Sequence, residues 1–541
     1  MSPDIPRYAR GGTVLAGMIA AIVLIAMTTY RLERAGAYYD ELHQAPGAFA
    51  YIGRPTTLFS FVPIGGVPLL NMPYTGAVKT AIYGLYLRAS DRSFSIFSWR
   101  LLGILFSAAG LIAFALLAAG RIPVAAAAVF FALVLSDTNL LLQTRHDWGP
   151  AALAFLLRMI LIGVAVRHLT GSRSRWTPFL LGIIVGFAIF EKLSSAILMG
   201  PLAIILLADP ASRSVRAVLR AATGVFVGAL PVILVNLHSL VTTSTLLALS
   251  SLDMTPRRSL FSYAANYLAL GNGGIERRMI FDVAAYRLTD VLEAAAILGL
   301  LLVVGGMVWK HGRASATSFV AGVMVMCYLA IGAALPLLPH GTGEHHWIIG
   351  TPFQYLAIAL AAVELWRPSV RSRGMRALLV ASVALLLLAR VPAVGSAYSA
   401  IRDDKYTLAW HPSLNTAAEF IARQPESAIV MTANWGIGAQ VFCFANGREN
   451  FLFEMYAAYF RPDGEEALQK VLEPAERQIV IAAALRPATT REFGQENTLL
   501  QIRDAIFRDL AEEPEWEAIP VDPSVRGLRA VEIRMFQRKK R

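Results

Sequence analysis

Cysteine is nearly absent. The 541 residues hold two, Cys327 inside an apolar run and Cys443 in a polar region, so no disulfide is expected. No Cys/His spacing of a structural zinc site occurs, and cysteine use is silent on compartment. Charge is scarce too. Only 16% of residues are charged, against 56% hydrophobic, whereas soluble chains carry roughly a quarter charged. With a mean hydropathy of +0.54, this excludes an ordinary soluble domain. Acid is short relative to base, 37 Asp and Glu against 49 Lys and Arg, for a net charge of +12. In a soluble protein that surplus would raise nucleic acid as a partner. Here it lies in short Arg-rich loops between apolar runs, where it marks the inner side of a membrane, and no nucleic acid is expected. A dinucleotide fingerprint is missing as well: Gly436-x-Gly438 follows an expected strand, but position 441 is Val441, so the turn reads as packing. Internal repeats and low-complexity tracts are also absent.

What is present is a series of apolar runs of roughly 17–25 residues, the length that crosses a bilayer as helix. The first, 12–30, follows Arg7 and Arg10, is too long for a signal-peptide core and is read as a retained helix. Further runs lie near 98–119, 122–138, 150–166, 222–240, 289–308, 317–338, 347–365 and 377–393, with two shorter ones at 177–190 and 194–208. Orienting them by Lys and Arg gives about eleven helices, with the N-terminus cytoplasmic and the C-terminus outside. The inner loops carry Arg121, Arg167, Arg173, Arg213, Arg216, Lys310, Arg367 and Arg371, with Asp209 as an acidic exception. The outer segments are then 31–97, 139–149, 241–288 and 339–347.

From about Val394 acids and bases mix and no run could span. Ala428 to Ala433, Gln478 to Ala483 and Arg529 to Phe536 read as strands, and Leu499 to Glu513 as a helix. Residues 394–541 are therefore expected to form a soluble α/β domain of the usual size, outside the membrane, after a membrane domain of residues 1–393.

Chemistry concentrates on the outer side. Tyr38-Tyr39-Asp40-Glu41-Leu42-His43 follows the first helix, and an acid at a membrane surface is costly unless it has a use. A carboxylate there can take a proton from a hydroxyl or hold a divalent cation, and adjacent acids push their pKa values apart. The plain alternative is a solvated acidic pair. The next segment holds Gly53-Arg54-Pro55, Gly65-Gly66-Val67-Pro68-Leu69-Leu70, Gly76-Ala77-Val78-Lys79 and an amphipathic stretch, Thr80 to Leu87, suited to the membrane interface. Ser98-Trp99-Arg100-Leu101 opens the second helix.

A first helix, a paired-acid motif, a long outer loop with Pro-Leu and Gly-x-x-Lys elements, and Arg-Leu opening the second helix resemble the GT-C superfamily. These are polytopic glycosyltransferases that use polyprenyl-phosphate sugars, and the protein O-mannosyltransferase and lipid A aminoarabinose transferase branches are the ones most similar. The resemblance covers roughly residues 12–390, with Val67-Pro68-Leu69 where many relatives have Pro-Pro-Leu. It implies a place near the site for Asp147, in His146-Asp147-Trp148-Gly149-Pro150, as a third carboxylate, although an N-cap before Gly-Pro is the plain reading. It implies a phosphate contact for Lys192, whose plain readings are a pair with Glu191 or snorkelling. Glu344-His345-His346-Trp347 resembles a further family loop, with His346 a donor to phosphate. A zinc site there is poor geometry, and an interfacial His-Trp belt is the plain reading.

The expected mechanism is inverting sugar transfer from a polyprenyl-phosphate donor to a hydroxyl acceptor on a lipid, envelope glycan or protein, in the bacterial inner membrane. Asp40 is the base, with Glu41 and Asp147 assisting. Lys192, His346, His146, Arg257, Arg258 and Glu344 bind substrate. A divalent cation, Mg or Mn, is left open, with Glu41 and Asp147 as ligands. A transporter or flippase is the alternative, with ionisable groups near the bilayer midplane. The nominated charges sit at helix ends and helix interiors look nearly free of charge, which favours the enzyme. A third reading is a non-catalytic assembly protein whose outer domain binds a partner.

Overall fold

The computed structural model describes residues 7–540 apart from 57, 60–61, 65, 148–149, 172–173, 248–262, 264–266, 269–273, 284–286, 312–314, 339–343, 369, 371, 449–451, 475 and 493–496. Its first part is an apolar helical bundle. In chain order the first helices are α1 (Arg7–Thr29), α2 (Tyr39–Leu42), α3 (Val78–Ser90), α4 (Ile96–Ala118), α5 (Val124–Ser136), α6 (Thr138–His146), α7 (Ala151–Leu169), α8 (Thr177–Glu191), α9 (Met199–Ala208), α10 (Val215–Gly228) and α11 (Leu230–Thr243). Long apolar helices follow at Arg287–His311, Ala316–Ala334, Thr351–Leu365 and Arg373–Arg402.

Among the described residues seven helices are long and apolar enough to cross a membrane, or nine if each of two bent pairs is one span. The apolar runs, about eleven expected, are interrupted at two places for local reasons. The run 122–138 breaks at Asp137, where α6 turns 66° away from α5. Asp137 caps the new helix, its Oδ1 accepting from the N–H groups of Asn139 (2.8 Å) and Leu140 (3.3 Å), as Asp does at an N-cap. The run 222–240 bends 65° between α10 and α11, at Leu230-Pro231. Proline takes the first turn of a new helix because its missing N–H is not needed there. The helices at 177–191 and 193–208 remain short.

The Asp137 elbow is held from inside the bundle. Tyr355 donates to Asp137 Oδ2 (2.7 Å). Arg390 donates to Glu293 (2.7 Å), the Leu133 carbonyl (2.8 Å) and Ser136 (3.0 Å), and also to the Tyr355 hydroxyl. With Arg158 on α7, these charges correct the expectation that helix interiors are nearly uncharged. Each was overlooked because one charge hardly alters the mean hydropathy of a run.

α8 and α10 lie against one another through Gly182 and Gly186 on one side and Gly224 and Gly228 on the other. A Cβ at any of the four would strike backbone of the facing helix: the carbonyls of Ala221, Val225, Phe179 and Ile183 respectively. Small residues four apart let apolar helices approach where no hydrophobic force drives them together. We predict that Gly182→Leu lowers the thermal unfolding temperature of the purified protein strongly, since the clash is with backbone and costs at least the ~1–3 kcal/mol of overpacking. Gly305→Leu, at a position with nothing within 4 Å, leaves it unchanged.

The segment 31–95 is built rather than loose. After α2 comes a 3-10 turn (Pro46–Ile52), then an antiparallel sheet of β1 (Val62–Ile64), β2 (Val67–Met72) and β3 (Thr75–Gly76), then α3. α3 buries Lys79, Thr80, Tyr83, Gly84 and Leu87 and exposes Ile82, Leu85 and Tyr86, the two faces of an interfacial helix.

Past Arg402, beyond the expected end of the last run at 393, lies a five-stranded sheet. It comprises β4 (Ile429–Thr432), β5 (Leu452–Phe453), β6 (Ile479–Leu485), β7 (Trp516–Ile519) and β8 (Val531–Arg538), in spatial order β5-β4-β6-β8-β7. β4 pairs in parallel with β5 and β6, and β8 antiparallel with β6 and β7. β4 and β6 are almost wholly buried, as strands covered on both faces are, and helices at Ser413–Ala422 and Asn497–Glu512 bury Leu414, Ile421, Ile506 and Phe507.

Candidate active site

The segment 35–44 is gripped from two sides. From the bundle, Arg100 at the start of α4 holds Glu41 with two bonds, Nε to Oε1 (2.7 Å) and Nη2 to Oε2 (2.8 Å). The same guanidinium donates to the carbonyls of Leu32 (2.7 Å), Ala35 (3.0 Å) and Gly36 (3.1 Å). Both side chains are fully buried, so the planar, bidentate geometry of arginine is used in full. From the sheet side, Gly36 donates to the Trp410 carbonyl (2.7 Å), Ala37 to Asn415 (2.8 Å), and Gln440 to the Ala37 carbonyl (3.0 Å). Tyr38 stacks on Trp410 at 4.6 Å and Tyr39 lies 3.8 Å from Trp435.

The two acids are thereby separated. Glu41 is buried with both oxygens on Arg100. Asp40, beside it in the short helix α2, is only partly buried, and its charge acts on the Lys192 ammonium. Beside it, His43 Nδ1 and both side-chain polar atoms of Gln44 are buried and find no partner among the described residues. Such groups mark a place where water or a ligand completes the bonding.

Asp147 closes α6 in left-handed backbone, φ 46°. Its Oδ2 meets Lys79 at 2.6 Å with both side chains buried, and its Oδ1 accepts from the Ala152 N–H at the start of α7 (2.8 Å). Lys79 also lies 3.9 Å over the Trp99 ring, a cation–π contact in a dry site. Glu41 and Asp147 thus have their oxygens on cations and a backbone N–H. That donor set does not suit the divalent cation expected of them, and no group of three or more His, Cys, Asp or Glu among the described residues could hold a metal.

Lys192 stands at the break after α8. The break is sewn to the segment that follows α1: Thr75 bridges to Lys192 and the Leu193 N–H donates to the Tyr74 carbonyl (3.0 Å). Gly76 permits the approach, since a Cβ there would lie 2.9 Å from Glu191 Cα and 3.0 Å from the Phe190 carbonyl. Loss of water around it, and next the nearby Arg158 guanidinium, push the Lys192 ammonium down to about 8, while Asp40, Asp147 and Glu276 act the other way. Arg158 is buried on α7, and its Nε has no partner among the described residues. Lys192 thus lies within electrostatic reach of both Arg158 and Asp40.

The remaining expectations fare unevenly. His146 is fully buried with its ring 4.7 Å from Trp410, and neither ring nitrogen has a hydrogen-bond partner among the described residues. His346 is buried in the 3-10 turn Glu344–Gly350 that packs on α6. Glu344 opens that turn, and its side chain lies outside the described residues, as do Arg257 and Arg258. Sequence reading missed Arg100, Arg158 and the role of Lys79. An Arg inside the apolar run 150–166 was a usable signal; Lys79 could be paired with Asp147 only once the chain was folded.

No family model matches the chain, and no curated protein matches it in sequence. Solved structures do match in fold. ArnT from Cupriavidus metallidurans bound to undecaprenyl phosphate superposes with a TM-score of 0.60 at 14% identity, over 97% of this chain and 98% of that one. Its apo form gives 0.56 at 13%, over 98% of both. The arabinofuranosyltransferase AftD from Mycobacteria gives 0.50 at 13%, over 97% of this chain and 40% of AftD. The resemblance read from the sequence is borne out at the level of fold: the chain is folded like ArnT and AftD.

Proposed function

We propose that the chain is an inverting glycosyltransferase that moves a sugar from a polyprenyl-phosphate donor to a hydroxyl acceptor. The observation that carries this reading is the division of labour around Asp40. Its neighbour Glu41 is neutralised by Arg100, while the Asp40 charge reaches the buried Lys192, on which Arg158 also acts. The cations receive the donor phosphate. Asp40 takes the acceptor proton as the hydroxyl oxygen bonds to the anomeric carbon; the carbon–phosphate oxygen bond breaks, and its electron pair leaves with the lipid phosphate. Positive charge building on the ring is met by Asp40. Lys79 and Asp147 act as positioning residues that fix α3 against α6 and α7. ArnT holding undecaprenyl phosphate supports a lipid-linked donor. On this reading the site faces the outer side of the bacterial inner membrane, the N-terminus is cytoplasmic, the chain crosses about eleven times and the sheet lies outside. Any divalent cation would enter with the donor phosphate rather than on Glu41 and Asp147.

The test is donor turnover in reconstituted membranes. Lys192→Ala lowers kcat/KM for a polyprenyl-phosphate sugar roughly ten- to hundredfold, the worth of one charge-assisted bond. A pKa lowered to about 8 means the ammonium is present below that pH and lost above it, so kcat/KM falls as pH rises through about 8. Lys192→Arg, charged throughout, removes that fall; an unchanged pH profile would refute the assignment. A buried arginine inside a helix also suits a transporter, and donor movement without covalent product would favour that reading.

A further inference from the structure

The turn Asn434-Trp435-Gly436-Ile437-Gly438 after β4 fails as a nucleotide loop, yet it touches the Asp40 motif. Trp435 is half-exposed and lies against Tyr39, the residue before Asp40. The Glu454 carboxylate sits on the same turn: a Cβ at Gly438 would lie 2.5 Å from its Oε1. Glu454 is partly buried, and its carboxylate has no hydrogen-bond or ion-pair partner among the described residues. Tyr456 follows, half-exposed, close enough with Glu454 for both to act on the Tyr39 hydroxyl. Tyr456 and Phe460 rings are 6.5 Å apart, edge to face. Phe460 is 58% exposed, and among the described residues past Arg402 no other large apolar side chain is exposed. An aromatic strip with one unpartnered carboxylate therefore runs outward from the motif over the sheet unit.

We propose that Trp435, Glu454, Tyr456 and Phe460 form an acceptor subsite for a carbohydrate chain, so that the hydroxyl delivered to Asp40 belongs to a sugar. This rests on the transferase reading above. Sugar rings present C–H faces that lie on aromatic rings, whose polar tips can bond the ring hydroxyls. Neighbouring hydroxyls donate together to the two oxygens of a carboxylate. A peptide acceptor fits less well: the edge strand β5 beside the strip is two residues long, too short to template an added strand.

The experiment is saturation-transfer NMR on the full-length protein in nanodiscs, with linear hexasaccharides of glucose, mannose and N-acetylglucosamine and a Ser/Thr-rich peptide as probes. The expected result is transfer to the ring protons of at least one hexasaccharide. The dissociation constant should rise about tenfold in Phe460→Ser and in Glu454→Gln, the scale of one aromatic or polar contact. Glu517→Gln, on β7 at the opposite sheet edge, should leave it unchanged. Phe460 is at the surface, so its removal tests binding rather than folding. The proposal is overturned if no hexasaccharide shows transfer, if both strip variants bind as well as the parent, or if the peptide alone binds. Those outcomes leave donor turnover and its pH profile untouched, whereas failure of the Lys192 tests would remove the transferase reading without altering saturation transfer.

Discussion

Asp40→Asn is expected to reduce kcat by about 10²- to 10⁴-fold, the usual contribution of a positioned general base, with donor KM within a few-fold of the parent. Asparagine keeps the shape and loses the proton acceptor. Asp40 is only partly buried at the end of a motif held by other residues, so the variant should fold and unfold as the parent does. The measurement is single-turnover transfer from a polyprenyl-phosphate sugar in proteoliposomes, beside a melting curve. Near-normal turnover would remove Asp40 from the mechanism. The contrast with Glu41→Gln is informative, because that change should act on stability first: it weakens a fully buried ion pair. Had the two acids been equivalent, both variants would lose activity at unchanged stability.

Arg100→Met should produce the largest loss of stability. It leaves the buried Glu41 carboxylate uncompensated, and breaking such a pair costs about 3–5 kcal/mol. It also strips donors from the carbonyls of Leu32, Ala35 and Gly36. Adding Glu41→Met should recover part of the stability, since removing both charges of a buried pair is often neutral. Activity should not return with it. The three carbonyls remain unmet, the 32–36 turn is no longer fixed, and Asp40 is carried four residues further on. Denaturant unfolding and turnover of the two single variants and the double one would show this. Full recovery of activity in the double variant would mean that Arg100 serves only to neutralise Glu41.

Much of the site was legible because its residues are costly where they stand. Asp40, Asp147 and Lys192 each interrupt an apolar or interfacial stretch, and the alternation of Arg-rich loops is what led the sequence to group them. Their roles were not legible. Glu41 and Asp40 are adjacent and chemically alike, and only Arg100, 59 residues on, separates them. Asp147 looked like a metal ligand until Lys79, 68 residues earlier, was found on it. His146 sits beside it in sequence, and the helical turn brings its ring to Trp410. Arg158 and Arg390 were hidden inside apolar runs whose averages they hardly change.

By itself the sequence determined the membrane setting, the succession of apolar helices and the β segments near 428–433, 478–483 and 529–536. These follow from hydropathy, period and charge placement, which are local and additive along the chain. Tertiary structure alone decided that Glu41 is held by Arg100, that Lys79 meets Asp147, and that the sheet unit reaches back to grip residues 35–44. Those outcomes depend on partners tens to hundreds of residues apart, such as Gln440 with Ala37. Burial fixes the energy of each such pair, and burial is not written in any single stretch of the chain.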